Sequence, residues 1–139
     1  MDLEILSLLE ACEYRPKNRT YALRIASPKH LYESPVFDLV NSPLYTIVTY
    51  AFEDENPPRL YHSLTESLAK QILTDFKDRG LDQDTLLVHC SRGQNRSPAV
   101  GMALNDIFSL GYDSQLLKQK FPEANWHVYR RLLEVSKAI

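Results

Sequence analysis

The sequence is poor in cysteine, in excess basic charge and in long apolar runs. Only two of its 139 residues are cysteine, Cys12 and Cys90, so a framework of disulfides is excluded. Neither cysteine belongs to a CxxC pair and the four histidines stand far apart, so we expect no metal site. The formal net charge of −2 argues against a broad basic surface of the kind that binds nucleic acid.

The lack of long apolar runs argues against a membrane-spanning segment. No stretch is long enough to cross a bilayer, and the N-terminus has no signal-peptide pattern. Repeats, linkers and low-complexity segments are also missing. The apolar content of 44% and the charged content of 24% are ordinary for a globular domain. We therefore predict one domain over residues 1–139, cytoplasmic and without a membrane partner, whereas the oligomeric state is not indicated.

The most informative stretch is His-Cys-Ser-Arg-Gly-Gln-Asn-Arg-Ser-Pro at residues 89–98. Arg96 follows Cys90 by six positions, with Gly93 between them and Ser97 directly after. A run typical of a buried strand precedes the stretch, and a helical pattern follows it. Strand, tight loop and helix bring inward-facing backbone N–H groups and the positive end of the helix to one point. This context predicts an anion-binding loop.

The residue types in this loop suit a phosphate ester. A guanidinium at Arg96 offers a planar fork to two phosphate oxygens, which lysine cannot reproduce. Cations and helix N-termini favour the thiolate over the thiol, so we expect Cys90 to act as a nucleophile beneath the phosphate. Gly93 permits a backbone conformation that a side chain would disfavour, and Pro98 suits the first helical turn. The predicted phosphate-binding residues are Ser91, Arg92, Gly93, Gln94, Asn95 and Arg96.

The pattern HCxxGxxRS, formed by His89, Cys90, Gly93, Arg96 and Ser97, resembles the signature of the Cys-based protein tyrosine and dual-specificity phosphatases. The chain is similar in this respect to small bacterial and phage-type predicted tyrosine phosphatases. The resemblance implies hydrolysis of phosphomonoesters through a phosphocysteine, without a cofactor. It implies as substrate a phosphorylated protein, such as one with phosphotyrosine, or a small phosphate ester. It further implies that Ser97 donates a hydrogen bond to the departing thiolate and that His89 supports the loop structurally.

The same family supplies a general acid, an aspartate on a loop thirty to forty residues before the cysteine. In this chain the acidic segment Ala-Phe-Glu-Asp-Glu-Asn-Pro-Pro at 51–58 follows a predicted strand, and Asp54 lies thirty-six residues before Cys90. The resemblance favours Asp54 as the acid, and Glu53 and Glu55 are adjacent alternatives. A solvated acidic turn without function has the same composition. The Trp-Pro-Asp motif of the larger receptor-type enzymes is absent.

Alternating strand and helix patterns predict an α/β fold, a three-layer α/β/α arrangement with a mainly parallel central sheet, as in the phosphatases. Ligands in such folds bind beyond the carboxyl ends of the strands, where Asp54 and Cys90 would both lie. The predicted strands cover 21–26, 45–50 and 84–89. The first predicted helix is N-terminal, with Ile5, Leu8, Leu9 and Cys12 on one face, and the second starts at a capping box Ser63-x-x-Glu66 and stops at Gly80. A third helix runs from Pro98 and is closed by Gly111, a polar segment follows over 114–120, and the last helix runs from about Asn125, its N-cap, to Lys137.

Three other interpretations compete with a phosphatase. A rhodanese-like sulfurtransferase also cradles an anion in a cysteine loop, but its loop is usually one residue shorter. A thiol-dependent arsenate reductase requires a resolving cysteine nearby, and Cys12 is distant in sequence. A non-catalytic module that recognises phosphorylated partners is the alternative from another class. Such modules normally lose the cysteine or the arginine, and this chain retains both.

Overall fold

The described residues, 1–28, 37–54 and 63–139, form a parallel sheet flanked by helices in the computed structural model. All three pairs of neighbouring strands are parallel, and the strand order is β1-β4-β2-β3. The prediction of a mainly parallel sheet is confirmed. The four strands are β1 Asp2–Ser7, β2 Thr20–Ala26, β3 Tyr45–Ala51 and β4 Thr85–Cys90.

Helices cover both faces of the sheet, and the two faces differ in size. The larger core lies on one face, where Leu23 and Val88 pack with Phe76, Met102 and Leu132. The smaller core lies on the other face, where Ala22 and Leu87 pack with Ala11. Because strand side chains alternate between faces, each strand serves both cores, and the predicted three layers are confirmed. The helices are α1 Leu8–Glu13 on the smaller side, with α2 Glu66–Arg79, α3 Arg96–Phe108 and α5 Trp126–Ser136 on the larger side, and α4 Ser114–Lys120 packed against α3.

No helix in the described part of the chain has both the length and the apolar character needed to span a bilayer.

The prediction of an N-terminal helix containing Ile5 is wrong, because residues 2–7 form the edge strand β1. Its backbone pairs with β4 from Asp2 to Ser7, which a reading of local periodicity does not foresee. The helix begins only at Leu8, after a capping box at Ser7, and it buries Ala11 while Leu9 stays 71% exposed. Both signals were present in the sequence. Residues 2–5 alternate polar and apolar, and Ser7-x-x-Glu10 is a capping pattern.

Two predicted helix boundaries and one predicted polar segment also differ from the structure. The N-cap of α2 is Thr65, whose hydroxyl accepts from the Leu68 N–H at 3.1 Å, so the predicted capping box at Ser63 is wrong. The helix α3 ends at Phe108, and its C-cap is Ser109 in the left-handed region rather than Gly111. The predicted polar segment over 114–120 is the helix α4, which Asp113 caps. Gly80 and Asn125 cap their helices as predicted.

The strand register brings all carboxyl ends to one edge of the sheet. Ser7 lies beside Cys90, Arg24 beside His89, and Ala26 beside Ala51. The segments that leave β3 and β4 therefore start from the same edge, as expected from the parallel topology.

Candidate active site

The segment 91–95 forms a tight loop between β4 and α3, and Gly93 lies at its centre. Gly93 has a φ of +74°, in the region that favours glycine. A Cβ placed there would lie 2.7 Å from the Ser7 nitrogen and 2.8 Å from the Leu6 carbonyl carbon. Glycine is thus required by the backbone conformation and also by the close approach of β1. The edge strand β1, which the sequence analysis missed, packs directly against Gly93 of the loop.

Cys90 ends β4 with its side chain turned into this loop. The residue is 2% exposed, and its Sγ accepts a hydrogen bond from the Gly93 N–H at 3.3 Å. The Ser97 hydroxyl lies 3.1 Å from the same sulfur. Two hydrogen-bonding groups therefore converge on Sγ, one from the loop and one from the first turn of α3. Both would stabilise negative charge on sulfur.

The N-terminus of α3 is left open toward the loop. Asn95 occupies the N-cap position, yet its side chain makes no capping hydrogen bond. Its Nδ2 instead donates to the Glu123 carbonyl oxygen at 2.8 Å, in the segment before α5. An N-cap side chain normally satisfies N–H groups of the first turn. Because Asn95 does not, the positive end of α3 is available to an anion held in the loop.

Arg96 is buried to 5% exposure and fastened to the ends of the neighbouring strands. Its Nη1 donates to the Phe52 carbonyl oxygen at 2.7 Å, just after β3, and to the Ser27 hydroxyl at 3.2 Å, just after β2. Its Nη2 donates to the Ser91 hydroxyl at 3.4 Å within the loop. The guanidinium is therefore held in place before any anion arrives. Ser27 was missed by the sequence analysis, because no local pattern connects it with residue 96.

His89 lies on the opposite face of the sheet from Cys90, since adjacent residues of a strand alternate. It is fully buried, and the Arg24 Nε donates to its Nε2 at 2.9 Å. Arginine has no acceptor, so Nε2 must be unprotonated and the proton sits on Nδ1, which lies 3.4 Å from the Cys90 carbonyl oxygen. Burial, together with the nearby Arg24 charge, lowers the pKa of His89 to about 4. The structural role of this neutral histidine stays a prediction.

Asp54 follows β3 by three residues, and its exposed side chain is held by α5. The Asn125 Nδ2 donates to Asp54 Oδ1 at 2.7 Å. The backbone N–H of Asn125 donates to the Asn95 carbonyl oxygen at 2.9 Å. Asp54 is thereby connected to the cysteine loop through one residue. The sequence analysis predicted Asn125 as an N-cap only, and nothing in the local pattern indicates its contact with residue 54.

Of the two alternative candidates for the general acid, Glu53 and Glu55, the structure describes only Glu53. Glu53 lines a cavity of about 220 Å³ together with Ser63, His127 and Arg130, between α5 and the start of α2. Glu55 lies outside the described residues. Glu53 therefore faces a cavity, whereas the Asp54 carboxylate contacts Asn125.

The outer side of the loop borders a groove of about 600 Å³ between β1 and α4. Arg92 and Gln94 stand at its rim, where the Arg92 Nη2 donates to Gln94 Oε1 at 3.3 Å. Leu3, Ile5 and Phe121 line the groove. Both Arg92 and Gln94 are exposed, so they add polar character to the mouth of the site while their backbone shapes the loop.

The structure thus brings together most of the residues named from the sequence. Cys90, Gly93, Arg96 and Ser97 converge on one loop, and Asp54 is joined to that loop through Asn125. Their chemical roles stay predictions. Within residues 1–28, 37–54 and 63–139, no group of three or more His, Cys, Asp or Glu side chains could hold a metal ion.

Comparison with known proteins identifies no family. No protein-family model matches the chain, and no curated protein matches it. Among solved structures, the chain is similar to the crystal structure of Tk-PTP in the active form, at 17% sequence identity and a TM-score of 0.49, over 88% of this chain and 81% of that chain.

Proposed function

We propose that the chain is a phosphomonoester hydrolase that works through a phosphocysteine on Cys90. The observation that carries the proposal is the surrounding of Sγ. The sulfur lies beneath an uncapped helix N-terminus, accepts from the Gly93 N–H and contacts the Ser97 hydroxyl. A buried Arg96 is fastened at the same loop. This arrangement stabilises a thiolate and a bound oxyanion at one point.

In the first step, the Cys90 thiolate attacks phosphorus in line with the ester oxygen. An S–P bond forms and the P–O bond to the leaving group breaks. The equatorial phosphate oxygens are held by Arg96 and by the backbone N–H groups of residues 91–96 other than that of Gly93, which donates to the sulfur. The contacts of Nη1 with Phe52 and Ser27 position the guanidinium in advance, so little reorganisation is needed when the phosphate binds.

The leaving oxygen requires a proton, because an aryl or alkyl oxide is a poor leaving group. We assign Asp54 to this role in preference to Glu53. The support is positional: Asp54 is tied to the loop through Asn125, whereas Glu53 lines the cavity beside Arg130. The carboxyl proton moves from Asp54 to the departing oxygen, and the alcohol leaves.

In the second step, water attacks the phosphocysteine. The Asp54 carboxylate takes a proton from the water as the new P–O bond forms and the S–P bond breaks. The thiolate returns and inorganic phosphate is released. The Ser97 hydroxyl and the Gly93 N–H stabilise the departing sulfur in this step, so the same two contacts serve both halves of the cycle.

The substrate class we propose is a protein phosphorylated on tyrosine, or on tyrosine and serine or threonine, with a small phosphate ester as the alternative. The groove between β1 and α4 supports a polypeptide substrate, because it starts at the rim of the loop and has mixed apolar and charged lining. Residues that flank the phosphorylated side chain could lie along it.

The decisive experiment is hydrolysis of an aryl phosphate in the presence of a metal chelator. Wild type is compared with Cys90→Ser and with the matched control Cys12→Ser, whose cysteine lies in α1. We expect turnover by wild type and Cys12→Ser and none by Cys90→Ser. Acid-quenched wild type should carry phosphate on Cys90 by mass spectrometry. Turnover that survives Cys90→Ser would refute the mechanism. Tight oxyanion binding without turnover by wild type would favour the recognition module.

A further inference from the structure

Asn125 is fixed in one orientation by the helix that it caps. It is 5% exposed, and its Oδ1 accepts hydrogen bonds from the His127 N–H at 3.1 Å and the Val128 N–H at 3.2 Å. These donors require the oxygen of the amide on that side. The Nδ2 group must then face the other way, where it meets Asp54 Oδ1 at 2.7 Å. The direction of this hydrogen bond is therefore set by the fold.

The backbone of Asn125 is fastened to the cysteine loop. Its N–H donates to the Asn95 carbonyl oxygen, and the Asn95 side chain donates back to the Glu123 carbonyl oxygen. From the other side, the chain two residues before Asp54 is held by Arg96 through the Phe52 carbonyl. The Asp54 segment is thus hydrogen-bonded to the cysteine loop at two points. One runs through Asn125 to Asn95, and the other runs through Phe52 to Arg96.

We propose that Asn125 is a positioning residue for the general acid. The inference rests on the proposed function, because it requires Asp54 to transfer a proton. An oxygen that accepts from Nδ2 cannot at the same time present its own proton in that direction. The contact with Oδ1 therefore leaves Oδ2 to carry the proton toward the departing oxygen. After transfer, the same N–H stabilises the carboxylate that activates water.

The test needs a variant that removes only the donor. Asn125→Ser retains an oxygen that can cap α5, because serine and asparagine are equivalent N-caps, and it lacks the Nδ2 group. The matched control is Thr65→Ser at the N-cap of α2, where the hydroxyl likewise accepts from a backbone N–H, that of Leu68. Both variants are expected to unfold at nearly the wild-type urea concentration, and Thr65→Ser to keep the wild-type kcat.

The readout is kcat across a series of aryl phosphates whose leaving groups differ in basicity. For Asn125→Ser we expect a loss of about 10- to 100-fold with the most basic leaving groups, because a misplaced acid transfers its proton poorly. With leaving groups that need no protonation the loss should disappear, and KM should stay unchanged. In the background of Asp54→Asn, adding Asn125→Ser should cause no further loss, since Asn125 acts through Asp54.

The outcomes separate this inference from the proposed function. A steep leaving-group dependence in Asp54→Asn together with a wild-type profile in Asn125→Ser overturns the positioning role alone. An equal loss with every leaving group, or a further loss in the double variant, overturns it as well, because it indicates damage to the loop. A wild-type profile in Asp54→Asn, or no turnover by wild type, overturns the proposed chemistry and this inference with it.

Discussion

The buried pair of Arg24 and His89 makes the stability of this protein depend on pH in a predictable direction. His89 is fully buried and Arg24 is 7% exposed, on the face of the sheet opposite to Cys90. Burial, with a smaller contribution from the Arg24 charge, lowers the pKa of His89 from 6.5 to about 4 in the folded protein. The physical cause is that water no longer solvates the imidazolium and a cation stands beside it.

The sign follows from proton binding. Between pH 6.5 and 4 the unfolded chain binds a proton at this histidine and the folded chain does not, so acid favours unfolding. The free energy of unfolding therefore falls as the pH drops through this window. When His89 is fully protonated in the unfolded chain and neutral in the folded one, the free energy of unfolding is lower by about 3 kcal/mol, at 1.36 kcal/mol per pKa unit. About 2 kcal/mol of this should be lost between pH 7 and pH 5.

The assay is urea unfolding of wild type and His89→Gln at a series of pH values. Glutamine can accept from Arg24 through Oε1 and does not titrate, while all other titratable groups remain in both proteins. The variant is expected to be less stable at pH 7. The informative quantity is the slope: wild type should lose about 2 kcal/mol more than the variant between pH 7 and 5. Parallel stability curves would refute the assignment of a neutral, buried His89.

Three further substitutions test the loop and the core. Gly93→Ala places a Cβ 2.7 Å from the Ser7 nitrogen at a φ of +74°, so we expect a loss of about 1–3 kcal/mol in urea unfolding and weaker binding of orthovanadate. Vanadate affinity within twofold of wild type would contradict this. Ser97→Ala removes one of the two contacts to Sγ and should raise the steady-state level of phosphocysteine in acid-quenched samples by about tenfold; an unchanged level would argue against a role in release of the thiolate. Leu132→Ala in α5 should cost about 2–5 kcal/mol by urea unfolding, because the side chain is fully buried, and a cost below about 1 kcal/mol would show that the site collapses.

Local signals were sufficient for the elements with strong patterns. The strand before Cys90, a helix after it and the cap at Asn125 are all present as predicted, although the helix ends at Phe108 and not at Gly111. In each case a run of β-forming residues, a helical periodicity or an N-cap preference acts within a few residues. The helix α4 and the start of α2 were misjudged, because Asp113 and Thr65 are also acceptable caps and neighbouring residues competed with them.

The edge strand β1 shows the limit of such signals. Residues 2–7 are stabilised as a strand by pairing with β4, more than eighty residues later. Ile5 then packs where Gly101 leaves room on α3. A short apolar segment is compatible with helix or strand until its partner is known.

The sequence alone determined the chemistry that this protein can offer: a cysteine, an arginine and a serine at the spacing of an anion-binding loop, with a glycine where the backbone must turn. Those residues are close in sequence, so short-range geometry holds them together. Only the tertiary structure decided which groups control them. Ser27 and Phe52 hold Arg96, and Asn125 holds Asp54, through contacts that join distant segments. Such contacts arise because parallel strands end at one edge of the sheet, and no local pattern records which side chains meet there.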